Sequence, residues 1–109
     1  MSLYALNLFD LADNDDYLEY SKGSLAAVQK QGGRVVALGK LDEDAPVGLG
    51  DTAPRQAMVL VEWPSREAFQ AFLDDPSNEP LHPLRENGTR NYIWWAYEKL
   101  DDLRPLLKG

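Results

Sequence analysis

The sequence predicts an α+β domain in which a four-stranded antiparallel sheet carries both of its helices on one face. Three observations support this. Apolar runs with strand character and stretches with helical spacing follow one another as strand, helix, strand, strand, helix, strand. Capping residues precede each helical stretch, and Gly-Gly or Asp-Pro ends it. The chain has 109 residues, 44% of them hydrophobic, which is the size and apolar content of one domain with a modest core. Residues 1–109 are therefore read as a single domain.

The first strand is the apolar run from Leu3 to Phe9, ended by Asp10. Asp13, Asn14, Asp15 and Asp16 follow, all suited to cap a helix and to meet the positive end of its dipole. With Asp16 as the cap, Glu19 completes a capping box. Leu18, Ser21, Leu25 and Val28 then recur at helical spacing, until Gly32-Gly33 stops the helix. Arg34 to Leu41 reads as the second strand, and Gln56 to Trp63 as the third. Between them, Asp42 to Pro54 is rich in Gly, Pro and acidic residues, and is expected to be the most mobile loop.

Ser65 is the N-cap of a second helix whose apolar face is Ala68, Phe69, Phe72 and Leu73. Asp74-Asp75-Pro76 ends it. Pro76, Pro80 and Pro83 argue against a long helix before Arg90 and favour one or two broken turns. Asn91 to Tyr97 is a strongly aromatic fourth strand, and Leu100, Leu103, Leu106 and Leu107 form an apolar tail interrupted by Pro105. This order is the split βαβ arrangement of ferredoxin-like folds.

A sheet with helices on one face should alternate apolar and polar residues if its other face meets water. These strands do not alternate. Met58-Val59-Leu60-Val61, Ile93-Trp94-Trp95-Ala96 and Val35-Val36-Ala37-Leu38 are apolar on both faces. The second face needs a cover, and a second copy of the same sheet across a two-fold axis supplies one. The tail over residues 98–109 would add its leucines to the partner; folding back over its own sheet is the alternative.

The chain contains no cysteine, which excludes disulfides, thiolate nucleophiles and iron–sulfur ligation. Its formal charge of −7 disfavours nucleic acid and anionic membrane as partners. No apolar run approaches the roughly 20 residues of a membrane span, and Met1-Ser2-Leu3-Tyr4 does not open like a secretion signal. A cytoplasmic protein is expected.

Asp13 through Tyr20, Gly32-Gly33-Arg34, Val61-Glu62-Trp63-Pro64-Ser65 and Asp74-Asp75-Pro76 together resemble the family called domain of unknown function 1330. That family belongs to the dimeric α+β barrel superfamily, and the resemblance runs from the first strand to about Arg85. It implies a fold and a homodimer, not a reaction. The superfamily holds cofactor-free monooxygenases, lactone isomerases, haem-degrading enzymes and members without known activity. The loop from Asp42 to Pro54 is longer than the family's, the last strand is more aromatic, and the chain continues past the family's usual end.

Seven residues are candidates for chemistry. His82, the sole histidine, is a natural general acid or base, although its place between prolines favours a plain turn histidine. It has no partners at metal-ligand spacing, so no metal site is expected, and no cofactor either. Arg34 and Glu62 should lie together where the second and third strands form a hairpin. They read as a cross-strand ion pair, or as a pocket mouth where Arg34 holds a substrate carboxylate. Tyr17 and Tyr20 suit the rim of a cavity or simple helix packing. Asn7, the one polar residue of its strand, is either satisfied by backbone or aimed into a cavity. Trp94 and Trp95 must point opposite ways, and one of them, taken as Trp94, lines the space between the sheets.

These residues suggest a homodimer that binds a small organic molecule in an aromatic cavity. If it is an enzyme, the chemistry would be cofactor-free oxygenation or isomerisation, with His82, Arg34 or Glu62 supplying acid–base help or charge. The alternative is a non-catalytic binding or dimerisation module.

Overall fold

The computed structural model of the chain describes residues 1–44 and 49–107. Part of the expected Asp42–Pro54 loop (residues 45–48) and the last two residues of the tail therefore lie outside the described residues. The elements are β1 (Leu3–Leu11), α1 (Asp16–Lys30), β2 (Arg34–Lys40), β3 (Ala57–Trp63), α2 (Arg66–Asp74), α3 (Leu81–Gly88) and β4 (Thr89–Glu98). Turns of 3₁₀ helix occupy Pro76–Asn78 and Arg104–Leu106. The strands are antiparallel in the order β2-β3-β1-β4, so the two chain-distant strands β1 and β3 form the centre of the sheet.

Period-two alternation along β1 separates the layers. Leu3, Ala5, Asn7 and Phe9 are buried beneath the helices, whereas Tyr4, Leu6 and Leu8 lie on the opposite face. Register extends the helix face across Val59, Val61 and Trp63 of β3 and Trp94 of β4. Trp63 is 1% exposed and packs between Phe69 and Phe72 of α2, with ring centroids 5.6 and 4.9 Å away.

β1 and β4 change register between Leu8 and Asp10, where β4 carries an extra residue. Asn91 sits in this bulge with φ +56°, and its amide donates to Asp10 at 3.0 Å. Asparagine tolerates that left-handed backbone better than most residues. The bulge leaves Arg90 paired with Asp10 while Trp94 pairs with Asn7 on the helix face.

The ends of the helices correct two expectations. Ser65 caps α2 as read, accepting from the Ala68 N–H at 3.0 Å. The Asp16–Glu19 capping box does not form: Asp16 is already helical, and its N–H donates to Asn14 Oδ1 at 2.9 Å. Glu19 instead pairs with Lys22 at 3.0 Å. The segment expected to hold broken turns contains, besides its 3₁₀ turn, an eight-residue helix, α3, packed on α1. Pro83 is the third residue of α3. The N–H groups of a first helical turn have no intrahelical acceptor, so proline removes nothing there.

The face away from the helices is apolar across all its central strands. Leu60, Leu6 and Trp95 lie side by side across β3, β1 and β4, as do Met58, Leu8 and Ile93. Trp95 is 52% exposed and Tyr97 48%. The tail does not fold back to cover them with its leucines, because Leu103, Leu106 and Leu107 are themselves exposed.

Candidate functional site

Between the sheet and α1 lies a cavity of about 330 Å³. Its floor is Ala5 and Asn7 of β1, Val35 and Leu38 of β2, Val59, Val61 and Trp63 of β3, and Tyr92 and Trp94 of β4. Its roof is Tyr17, Tyr20, Ser21, Ser24, Leu25 and Val28 of α1, with Phe72 closing one side. The roof positions recur at three- and four-residue steps, which is one stripe of a helix. This stripe is turned from the one expected: Leu18 is 58% exposed, and the tyrosines face inward.

Asn7 resolves both of its expected readings at once. Its amide donates to the carbonyls of Ala5 (3.3 Å) and Val59 (3.2 Å), while its Oδ1 accepts from the Tyr92 hydroxyl at 2.5 Å. Backbone thus fixes the side chain, and the fixed side chain lines the cavity. Tyr92 stands out in the sequence only as one of the aromatics of the fourth strand, with no site role attached. Period two from Trp94 on the same strand is the signal that places it.

Phe9 stacks on Tyr92 (5.0 Å) and touches Tyr17 (4.9 Å), which in turn meets Tyr20 at 5.4 Å. Burial pushes the Tyr17 phenol up to about 12, with the Tyr20 phenol adding to the shift. Burial likewise raises Tyr20 and, more strongly, Tyr92. All three hydroxyls are therefore neutral near pH 7. The Trp63 and Trp94 indole N–H groups are buried and have no acceptor among the described residues.

The other candidates fall elsewhere. Trp94 lines the cavity, but from the helix side of the sheet; the cavity is not between two sheets, and Trp95 is on the open face. His82 is exposed and borders a smaller cleft of about 190 Å³ beside the main cavity. Arg34 and Glu62 are on the open face, remote in chemistry from the aromatic pocket. Arg34 Nη2 reaches Glu62 Oε1 at 2.7 Å, and Lys99 Nζ reaches Oε2 at 2.8 Å. The cross-strand ion-pair reading fits this geometry, with Lys99 as a third member that sequence reasoning did not include. Among the described residues no group of three or more His, Asp or Glu could hold a metal ion. No helix is long and apolar enough to cross a membrane.

The Lys99 and Arg34 hydrogen bonds hold the Glu62 carboxyl below its ordinary value of 4.5. Lys30 and Ser77 hold Asp75 well below its ordinary 3.8. A carboxyl with a lowered folded-state pKa stabilises the fold above its unfolded value, and that stability is lost as pH falls through the folded one. Urea midpoints are therefore expected to stay level from pH 7 to about 5 and to drop below about pH 4. Glu62→Gln should lower the midpoint at neutral pH and flatten the acid slope; an unchanged slope would remove Glu62 from this account.

A four-stranded antiparallel sheet, helices on one face and an aromatic cavity between the layers define a ferredoxin-like α+β domain. The chain belongs to the family described as domain of unknown function (DUF1330), whose model matches residues 2–96. Among solved structures, it is similar to RPA0582, a protein of unknown function from Rhodopseudomonas palustris. They share 22% identity over 93% of this chain and 84% of that one, with a TM-score of 0.75. SnoaB from Streptomyces nogalater, described as a cofactor-independent oxygenase, is 15% identical over 94% of this chain and 97% of its own, with a TM-score of 0.66. A dimeric ferredoxin-like protein of unknown function from Jannaschia sp. CCS1 is 12% identical over 91% and 100%, with a TM-score of 0.65. No curated protein is significantly similar in sequence.

Proposed function

We propose that the chain is a homodimer that binds a flat, largely apolar organic molecule in the cavity beneath α1. The observation that carries this reading is the cavity itself. Its 330 Å³ lie within the range of small-molecule sites, and few polar groups stand among its aromatic and aliphatic walls. The Tyr92 hydroxyl, which gives its hydrogen to Asn7, keeps an oxygen lone pair that would accept from a polar group of a ligand. The apolar open face supports the homodimer, and several structures of this fold are described as dimeric. The acidic charge of −7 keeps such a protein from nucleic acid and membrane surfaces and suits the cytoplasm.

The resemblance to a cofactor-independent oxygenase favours oxygenation over passive binding. In that case Asn7, Tyr92 and Trp94 would hold the reacting oxygen-bearing ring. His82, Arg34 and Glu62 would not touch it.

A panel of quinones, lactones, flavins and haem tests the reading. A true ligand at a hundredfold excess over its Kd should stabilise the fold by about 2.7 kcal/mol, read as a raised Tm. Ser24→Phe, which fills the cavity from α1, should abolish that shift and leave the free protein folded. A shift that survives Ser24→Phe would place binding elsewhere. No shift with any compound would favour a dimerisation module.

A further inference from the structure

The main cavity is walled on one side by Tyr92 and Trp94, and one cation that does not itself line the cavity lies near both rings. The Arg85 guanidinium lies 5.7 Å from the Tyr92 centroid and 5.4 Å from that of Trp94. It projects from α3, whose eight residues begin after Pro80. Arg85 borders both of the smaller clefts that share Trp94 with the main cavity: one with Tyr20 and His82, the other with Arg90 and Tyr92.

Of the chain's arginines, Arg34 and Arg104 pair with a carboxylate among the described residues. Arg85 is half-buried, yet no ion pair or hydrogen bond of its side chain occurs among the described residues. Glu86, its neighbour on α3, is exposed, and Arg104, Arg34, Lys22, Lys30 and Lys99 hold other carboxylates. The two rings, 71° apart, flank the guanidinium as cation–π partners, and none of its N–H donors meets a protein acceptor among the described residues.

We propose that the ligand of the main cavity is an organic anion, an aromatic body bearing one carboxylate, and that Arg85 holds that carboxylate where the cavity meets its two side clefts. The proposal rests on the binding reading above and adds the charge of the ligand. It moves the carboxylate-holding role from Arg34, which Glu62 occupies on the opposite face, to a residue of α3. A structural role alone, a cation lying near two rings to hold α3 against β4, would leave the guanidinium donors to water.

The probes are 2-naphthoate and its neutral amide, 2-naphthamide, which share the flat body and differ in charge. Binding is read by tryptophan fluorescence and calorimetry. The wild-type chain should bind the acid about tenfold or more tightly than the amide, as a charge-assisted pair implies. Arg85→Met, which keeps the apolar stem against the rings, should bring the acid down to the amide's affinity and leave the amide unchanged. Arg85→Lys should keep part of the preference. Equal binding of the two probes by the wild type, or a preference that survives Arg85→Met, overturns the assignment while leaving the cavity as a binding site. If neither probe binds, both the assignment and the cavity reading fall. If Arg85→Met melts too low to be studied, the probe preference of the wild type and of Arg85→Lys decides the matter.

Discussion

Gly88→Ala is expected to destabilise the domain by about 2–3 kcal/mol, the upper part of the usual range for overpacking, because the atoms it would meet belong to the backbone. Gly88 ends α3 at its contact with the start of α1. A Cβ there would stand 2.5 Å from the Tyr17 nitrogen, 3.0 Å from its Cα and 3.1 Å from the Asp16 carbonyl carbon. All three are backbone atoms, so relief requires the two helices to part. The Gly88 carbonyl also accepts from the Ala12 N–H at 2.9 Å, which ties the end of α3 to the chain entering α1. For a domain of this size the loss corresponds to a Tm lower by roughly 10 °C or more.

Gly23→Ala is the matched control. Its Cβ would meet Leu81 Cδ2 at 2.9 Å, the far end of a side chain that can rotate. Gly23 is inside α1, where alanine is favoured over glycine by roughly 0.5–1 kcal/mol. That variant should be neutral or slightly stabilised. Equal effects at the two positions would show that backbone approach is not what selects glycine at 88. Because Tyr17 lines the cavity, the folded fraction of Gly88→Ala should also bind ligand more weakly.

What could be read without coordinates was what period and punctuation encode locally. The alternation of strand and helix patterns, the Ser65 cap and the Gly32-Gly33 stop depend on residues within one turn of each other, and the structure keeps them. Asn7 stood out because one amide among apolar strand residues has to be satisfied somewhere. The misses have tertiary causes. Leu18 counted as apolar in the pattern of α1, yet Tyr17 and Tyr20 bury larger rings and turn the helix about its axis. Pro83 read as a breaker because the start of α3 was unknown, and a proline's effect depends on its position in the helix.

Arg34 and Glu62 were correctly paired by the hairpin. Which face they occupy could not be told when both faces of the strands are apolar. Arg85 carried no local signal at all, since its two aromatic neighbours belong to another element.

That same two-sided apolarity leads to the second large effect. The wild-type chain should be a dimer at micromolar concentration by light scattering, and Trp95→Glu should make it a monomer with an almost unchanged Tm per protomer. Trp95 ends the apolar row through Leu60 and Leu6, and it is 52% exposed in a single chain. A carboxylate at that position therefore costs the isolated protomer little. In a face-to-face pair each protomer would press that carboxylate against the other's leucines, and an unpaired buried charge costs several kcal/mol, enough to abolish association at these concentrations. Leu106→Ser with Leu107→Ser asks a separate question. Both leucines are exposed in the protomer, so the double variant should weaken the dimer only if the tail crosses to the partner. A monomeric wild type, or a Trp95→Glu chain that stays dimeric, would mean that the open face is not where two copies meet.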